Sequence, residues 1–155
     1  MNRAKNKEKN ILDGSGLKIG IVVSLFNDDI TMKMLDGALS CLAENKVKKE
    51  NIKIVFAPGA FEIPLFCQKL AKTKKYDALV ALGCVIKGDT DHYYYIAGEA
   101  SRGVMEVGLK YDIPIGFGII TVNNLKQASE RAGAENNKGR EATIATLMSV
   151  KAFQK

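Results

Sequence analysis

Apolar residues recur along this chain with two alternating periods, one typical of strands and one typical of helices. Short, nearly continuous apolar runs predict strands that are buried on both faces. Between them, longer segments carry apolar residues three or four positions apart, as in Asp28 to Asn45, and predict helices with one buried face. A further helix has Pro64 near its first turn, where the missing N–H costs nothing. The predicted strands are Leu17–Val23, Ile52–Phe56, Asp77–Gly83 and Ile115–Thr121, and the later helices are Tyr93–Lys110, Leu125–Ala132 and Lys138–Ala152.

The alternation of four strands with helices indicates the fold class. It predicts an α/β protein with a four-stranded parallel sheet covered by helices on both faces, a three-layer α/β/α arrangement. Such a sheet is doubly wound and flavodoxin-like. No repeat or interdomain linker interrupts residues 17–155, which we interpret as one domain. Asn27 or Asp28 is a suitable N-cap for the first helix.

The composition is that of a globular protein, with 155 residues, of which 46% are hydrophobic and 26% charged. No apolar run approaches the ~18 residues of a membrane span, and the first residues lack a secretory signal, so no membrane partner is expected. Cys41, Cys67 and Cys84 are odd in number and form no Cys-x-x-Cys pair, so we expect neither disulfides nor a zinc site. A reducing cytoplasm is the expected setting.

Much of the net charge of +6 lies at the start of the chain. Only Glu8 opposes the basic residues there, so we expect residues 1–16 to form a flexible tail. Its later part, continuing to Leu17, contains no proline and could add as a strand to a neighbour's sheet edge. The remaining sequence shows no basic helix face or stacking platform, so no nucleic-acid partner is expected. The basic residues of the tail are Arg3, Lys5, Lys7 and Lys9.

The strand ends carry the unusual chemistry of the sequence. In parallel sheets of this class, ligands bind beyond the carboxyl ends of the strands. The only histidine, His92, follows the third strand. Because histidine has an unperturbed pKa of about 6.5, it can give and take a proton near neutrality, and we expect an active site here, with a structural histidine as the alternative. The strand ends are Ser24–Asn27, Ala57–Glu62, Cys84–Thr90 and Thr121–Asn123.

Other groups at the strand ends have two interpretations each. Phe26 and Phe61 are either core aromatics or rings exposed to a planar ligand. Glu62 either contacts a ligand or simply favours a helix N-terminus. Cys84 could act as a thiol nucleophile, although a cysteine at the end of a buried strand is more often a small hydrophobe.

Four sequence blocks, in register with the predicted strands, carry a family resemblance. They are Ser24–Asn27, Pro58–Pro64, Ala81–His92, and Gln127–Gly133 followed by Asn137–Gly139. With these blocks the chain closely resembles the 6,7-dimethyl-8-ribityllumazine synthases, which catalyse the penultimate step of riboflavin biosynthesis. The resemblance extends from Leu17 to Phe153, so residues 17–155 are expected to be a lumazine synthase domain.

The resemblance implies a condensation of 5-amino-6-(D-ribitylamino)uracil with 3,4-dihydroxy-2-butanone 4-phosphate, which releases phosphate and water. No redox change occurs, so no cofactor and no metal are implied. Two alternatives remain: the archaeal type of riboflavin synthase, which dismutates two lumazines, and a lumazine- or flavin-binding shell protein without catalysis.

The same resemblance implies roles for individual residues. His92 corresponds to the proton-transfer residue, but Tyr94 stands where many members have an acidic residue that would orient the imidazole. Pyrimidine and ribityl binding would fall to Phe26, Ala60, Phe61, Glu62, Cys84, Val85, Ile86 and Phe117. Phosphate binding would fall to Asp89, Thr90, Arg131 and Lys138, the last two being ordinary surface charges on the alternative interpretation.

The resemblance also implies a homo-oligomer. A ring of five is the expected unit, in which a neighbouring subunit contributes Phe117 and Arg131 to each site. The short loop Gly133–Lys138 and the proline-free stretch Ile11–Leu17 favour a shell of twelve such rings, a 60-mer. Riboflavin synthase is a further candidate partner.

Overall fold

Four parallel strands form one central sheet in the computed structural model, which describes residues 11–154. Their order across the sheet is β2, β1, β3, β4, so the chain winds first to one side of β1 and then to the other. Every neighbouring pair is parallel, which confirms the predicted doubly wound sheet. The strands are β1 (Ile19–Ser24), β2 (Ile52–Ala57), β3 (Ala78–Ile86) and β4 (Ile115–Val122).

Within residues 11–154, five α-helices cover the two faces of the sheet. They are α1 (Asp28–Glu44), α2 (Ile63–Lys72), α3 (His92–Tyr111), α4 (Leu125–Ala132) and α5 (Lys138–Phe153). α1, α4 and α5 pack on one face, and α2 and α3 on the other, each over its own apolar core. The predicted three-layer α/β/α architecture is therefore confirmed. Within residues 11–154, no helix is both long and apolar enough to cross a membrane.

The third strand is longer than the sequence predicts. It was expected to end at Gly83, because glycine commonly marks a turn. Instead it continues to Ile86, which pairs with Val122 of β4. Gly83 is buried within the strand, where a Cβ would come within 3.0 Å of the Ile63 side chain. The glycine thus marks a close packing contact and not a strand end.

The segment ahead of β1 is held against the C-terminal end of α1. The Leu12 N–H donates to the side-chain oxygen of Asn45, and the Gly14 N–H donates to the Asn45 carbonyl, both at 2.7 Å. Residues 11–17 form no strand within the chain, and the basic residues of the tail lie outside the described residues. At the far end of α5, Phe153 lines a groove together with Pro114, which immediately precedes β4.

Two glycines bring helix α5 into close contact with its neighbours. A Cβ on Gly139, in the first turn of α5, would overlap the backbone carbonyl of Met34 in α1. A Cβ on Gly116 of β4 would lie 2.6 Å from the carbonyl oxygen of Ala142 in α5. Backbone atoms cannot move aside as side chains do, so these contacts require residues without side chains. They fix the N-terminal half of α5 between α1 and β4.

We predict that Gly139→Ala lowers the free energy of unfolding by about 3 kcal/mol, since the methyl group would force α1 and α5 apart. Gly98→Ala is the control, because a Cβ at this exposed position of α3 meets no atom within 4 Å. Its better helix propensity should raise stability by up to about 1 kcal/mol. Urea denaturation at one protein concentration measures both. Equal effects of the two substitutions would contradict the close contact.

Candidate active site

The turns that follow β1, β2 and β3 meet at one edge of the sheet, which we call the rim (residues 24–27, 57–62 and 84–92). Two backbone bonds join the first two turns: the Leu25 N–H donates to Ala57 O at 2.8 Å, and the Phe26 N–H donates to Pro58 O at 3.0 Å. The Asn27 side-chain amide joins the third by donating to the Cys84 carbonyl at 2.9 Å. The rim is therefore a connected surface.

Asn27 fulfils its predicted role only in part. It occupies the N-cap position of α1, but its side chain makes no capping hydrogen bond. The residue is in the left-handed conformation (φ 60°, ψ 45°), and its amide is engaged across the rim with Cys84. Asn27 is thus the N-cap residue, as predicted, but the expected side-chain cap is absent. Its left-handed backbone differs from the extended backbone of a capping residue, and the bond to Cys84, 57 residues away in sequence, fixes the orientation of its amide.

Both predicted ring residues of the rim are exposed. Phe26 is 71% and Phe61 55% accessible, which excludes a core role for either ring within a single chain. Ala60, which precedes Phe61 in the second turn, is buried, and Glu62 is half-buried. A Cβ on Gly59 would lie 3.2 Å from a Glu62 carboxylate oxygen and 3.9 Å from the Phe26 Cβ. The Glu62 carboxylate and Phe26 thus both lie close to the backbone of Gly59.

The end of β3 presents backbone groups to the rim. Pairing between β1 and β3 ends at Val23 with Leu82, whereas β3 stays paired with β4 to Ile86. The sides of residues 84–86 that face β1 therefore have no strand partner within residues 11–154. The Cys84 carbonyl on this side accepts the Asn27 amide. Unpaired strand edges bind flat polar molecules through N–H and C=O groups, without any special side chain.

The thiol of Cys84 is poorly suited to act as a nucleophile. The residue is 2% exposed. Burial raises the pKa of the thiol to about 11, and the Asp29 carboxylate acts in the same direction. A thiol with this pKa is protonated at neutral pH, and only the thiolate attacks. Cys84 therefore contributes backbone and volume to the rim. Within the described residues, no three His, Cys, Asp or Glu side chains group as a metal site would require.

His92 is the first residue of α3, and its side chain is exposed. Its backbone N–H donates to the Thr90 hydroxyl oxygen at 3.4 Å. Asp89 and Thr90 are exposed in the bend ahead of the helix, and a Cβ on Gly88 would meet no atom within 4 Å. The bend is thus open to a ligand beside the imidazole.

Tyr94 stands where the family resemblance implies an acidic residue. Its ring contacts Lys87. The Lys87 ammonium lies 5.5 Å from the centre of the Tyr94 ring, which is a cation–π distance. Tyr93 packs edge-on against the same ring, with centroids 5.2 Å apart. This position therefore holds the lysine of the bend rather than offering a carboxylate.

The remaining predicted residues, Phe117, Arg131 and Lys138, lie together in a second place. They line a groove of about 450 Å³ beside the edge strand β4, which we call the β4 groove (Phe117–Thr121, Arg131, Lys138, Glu141, Ala142 and Ala145). None of the rim residues lines it. Within one chain, the predicted site residues therefore form two separate sets. We call those at the rim the rim group and those in the β4 groove the groove group.

Contacts within the helices hold the two cations of the β4 groove. The Arg131 guanidinium donates to the carbonyl of Gln127 at 3.0 Å, and the Lys138 ammonium pairs with Glu141 at 2.7 Å. Glu141 was not among the residues predicted from the sequence. Its spacing of three residues from Lys138 on a helix is the signal that could have revealed it.

Comparison with known proteins identifies the family. A family model described as 6,7-dimethyl-8-ribityllumazine synthase matches residues 16–154. The chain belongs to this family. Proteins with that name from Lawsonia intracellularis and Desulfovibrio desulfuricans are each 45% identical to it over 144 residues, 92% of both chains. The protein of that name from Clostridium kluyveri is 47% identical over 137 residues, 88% of this chain and 89% of its own.

We predict that Cys84 in the native protein reacts with iodoacetamide about 100-fold more slowly at pH 8 than in urea. A pKa of about 11 in place of 9.0 lowers the thiolate fraction by about that factor. Because the pKa is raised, the rate should keep increasing with pH up to about 11. Mass spectrometry of the alkylated peptides gives the rate for each cysteine. Labelling of Cys84 at the unfolded rate would restore the nucleophile as a hypothesis.

Proposed function

We propose that the protein condenses 5-amino-6-(D-ribitylamino)uracil with 3,4-dihydroxy-2-butanone 4-phosphate to 6,7-dimethyl-8-ribityllumazine, with release of phosphate and water. The observation that carries the proposal is the hydrogen-bonded rim, which joins exposed aromatic rings to the segment of the only histidine. Family membership supplies the reaction, since the relatives bear the name of this synthase. The three cysteines are buried, and within residues 11–154 no disulfide joins them, which supports a reducing cytoplasm as the setting.

The pyrimidine and its ribityl chain are assigned to the rim. Stacking on an exposed ring suits a flat heterocycle, so Phe26 is its proposed platform. The segment Cys84, Val85 and Ile86, whose side facing β1 has no strand partner, would bind the polar edge of the heterocycle through backbone groups. The ribityl hydroxyls would meet the second turn, where the Ala60, Phe61 and Glu62 segment offers backbone groups and a carboxylate.

The phosphate of the second substrate is assigned to both groups of residues. The open bend with Asp89 and Thr90 would hold it through backbone N–H groups and a hydroxyl, because the Asp89 carboxylate itself would repel it. Charge compensation would come from Arg131, whose planar fork matches phosphate oxygens, and from Lys138. Since the β4 groove is separate from the rim of its own chain, these cations would come from a neighbouring subunit.

His92 is the proposed proton-transfer residue. The amine of the uracil attacks a carbonyl, phosphate leaves, and a second carbonyl closes the ring, and protons move at each step. One exposed imidazole beside the bend could serve several of these transfers, which are typically worth about 10²- to 10⁴-fold in rate. Holding both substrates together would supply much of the remaining acceleration.

A ring of five subunits is the proposed working unit. An apolar groove of about 870 Å³ runs along α3, β4 and α5, and Phe117 lines both this groove and the β4 groove. Met105 and Leu109 are 63% and 76% exposed in it, as expected of a surface that another copy covers. Such a contact would bring Phe117 and Arg131 toward a neighbour's rim. Twelve rings would form the 60-mer shell, and riboflavin synthase is the proposed partner for the product.

The reaction is tested directly with purified protein and the two substrates. Lumazine absorbance should appear without added metal or nucleotide, and His92→Ala should lower kcat by roughly 10²-fold while the KM for the uracil stays within about twofold. Tyr95→Phe, on the same helix and outside the proposed site, controls for changes in α3. No product from the wild type would refute the function. Riboflavin formed from lumazine alone would instead support the archaeal-type synthase.

Light scattering tests the assembly. We expect a mass of about 85 kDa for a ring, five times the 16.9 kDa chain, or about one megadalton for the shell. Leu109→Glu should dissociate the ring by placing a charge in the apolar groove, whereas Lys72→Gln changes the net charge equally outside both grooves. A wild-type mass near 17 kDa with full activity would overturn the shared site.

A further inference from the structure

We propose that Asn137 is a positioning residue, which sets the spacing between Arg131 and Lys138 and thereby the affinity for the phosphate substrate. This inference rests on the proposed function of those two cations. Asn137 does not line the β4 groove, so it would act only through the residues that do.

The Asn137 side chain contacts three helices at once. Its oxygen accepts the Arg140 N–H at 3.0 Å and so caps α5. Its amide nitrogen donates to the Lys33 carbonyl of α1 at 3.0 Å and to the Ala132 carbonyl at the end of α4 at 3.2 Å. A single amide group therefore joins the start of α5 to α1 and to the end of α4.

These contacts lie directly next to the two cations. Ala132 follows Arg131, and Asn137 precedes Lys138. Asn137 and Ala132 also form an antiparallel bridge, which closes the loop between them. Because each cation is held by its own helix, the distance between them depends on how α4 and α5 meet. Asn137 is the residue whose side chain ties those two ends together.

The Asn137 side chain packs against Gly37 of α1. A Cβ on Gly37 would overlap the Asn137 side chain and come within 2.6 Å of its amide nitrogen. Gly37 is in the middle of α1, where alanine would ordinarily improve helix stability. The Asn137 side chain can occupy its position only because Gly37 has no side chain. A substitution of Gly37 should therefore displace Asn137 without changing Asn137 itself.

A second asparagine in the chain offers a matched control. Asn124 caps α4 by accepting the Gln127 N–H at 2.9 Å, as Asn137 caps α5. A serine at either position keeps an oxygen that can cap the helix but removes the amide donor. Only at Asn137 does that donor reach two other helices.

The experiment measures steady-state kinetics of Asn137→Ser and Asn124→Ser with each substrate varied in turn. We expect Asn137→Ser to raise the KM for 3,4-dihydroxy-2-butanone 4-phosphate about tenfold, with kcat and the KM for the uracil within about twofold. The inhibition constant of inorganic phosphate should rise in parallel. Asn124→Ser should leave all of these parameters unchanged.

Three further variants test whether the effect of Asn137 passes through Arg131 and through the contact with α1. Gly37→Ala should raise the same KM, although no atom of Gly37 lines the β4 groove, and it keeps the proposal testable if Asn137→Ser fails to fold. Arg131→Ala should raise this KM more strongly, and adding Asn137→Ser to it should have little further effect, because coupled residues are not additive.

The outcomes separate this inference from the proposed function. A wild type without lumazine formation refutes the function itself. A wild type that turns over, with an Asn137→Ser variant whose phosphate KM and phosphate inhibition are unchanged, overturns the inference alone. An equal loss of affinity for both substrates, or full additivity with Arg131→Ala, also overturns it, since a general loss of structure would produce either result.

Discussion

The position of helix α5 depends on two glycines, and much of the β4 groove depends in turn on the position of α5. Gly139 lets α5 approach the backbone of α1, and Gly116 lets it approach β4. Lys138 immediately precedes Gly139, so the backbone of Lys138 is positioned by the contact between α5 and α1. A change in α1 can therefore alter the groove, although no residue of α1 lines it.

The two groups of site residues have different structural origins. The rim group lies on turns after the three strands β2, β1 and β3, and two backbone hydrogen bonds and the side-chain amide of Asn27 hold those turns together. The groove group lies on the edge strand β4 and on the helices beside it. An edge strand faces outward, where a neighbour can reach it, while turns at strand ends collect small molecules. Under the proposed ring, assembly would then contribute charge and an aromatic ring to the reaction, as well as stability.

Periodicity was sufficient to predict the fold, since buried runs separated by amphipathic helices leave few arrangements other than a doubly wound sheet. The rim followed from the same rule, because parallel strands place all their carboxyl ends together. Contacts between distant residues could not be predicted. The sequence predicts that the Asn27 side chain caps a helix, yet its amide donates to the Cys84 carbonyl. The sequence predicts a turn at Gly83, yet this residue lies inside β3. There it allows close packing of Ile63, which belongs to another element. Exposure of Phe26 likewise depends on the whole fold.

The contacts of Leu12 and Gly14 with Asn45 place residue 11 near the amino ends of the strands, and Phe153 lies near Pro114 at the start of β4. Both described ends of the chain thus lie on the side of the molecule opposite the rim. A tag or cargo protein joined at residue 11 or at residue 154 would therefore begin on the side of the molecule opposite the rim. In a closed assembly, every copy would present such a fusion from the same side, so the architecture is suited to regular display of attached molecules.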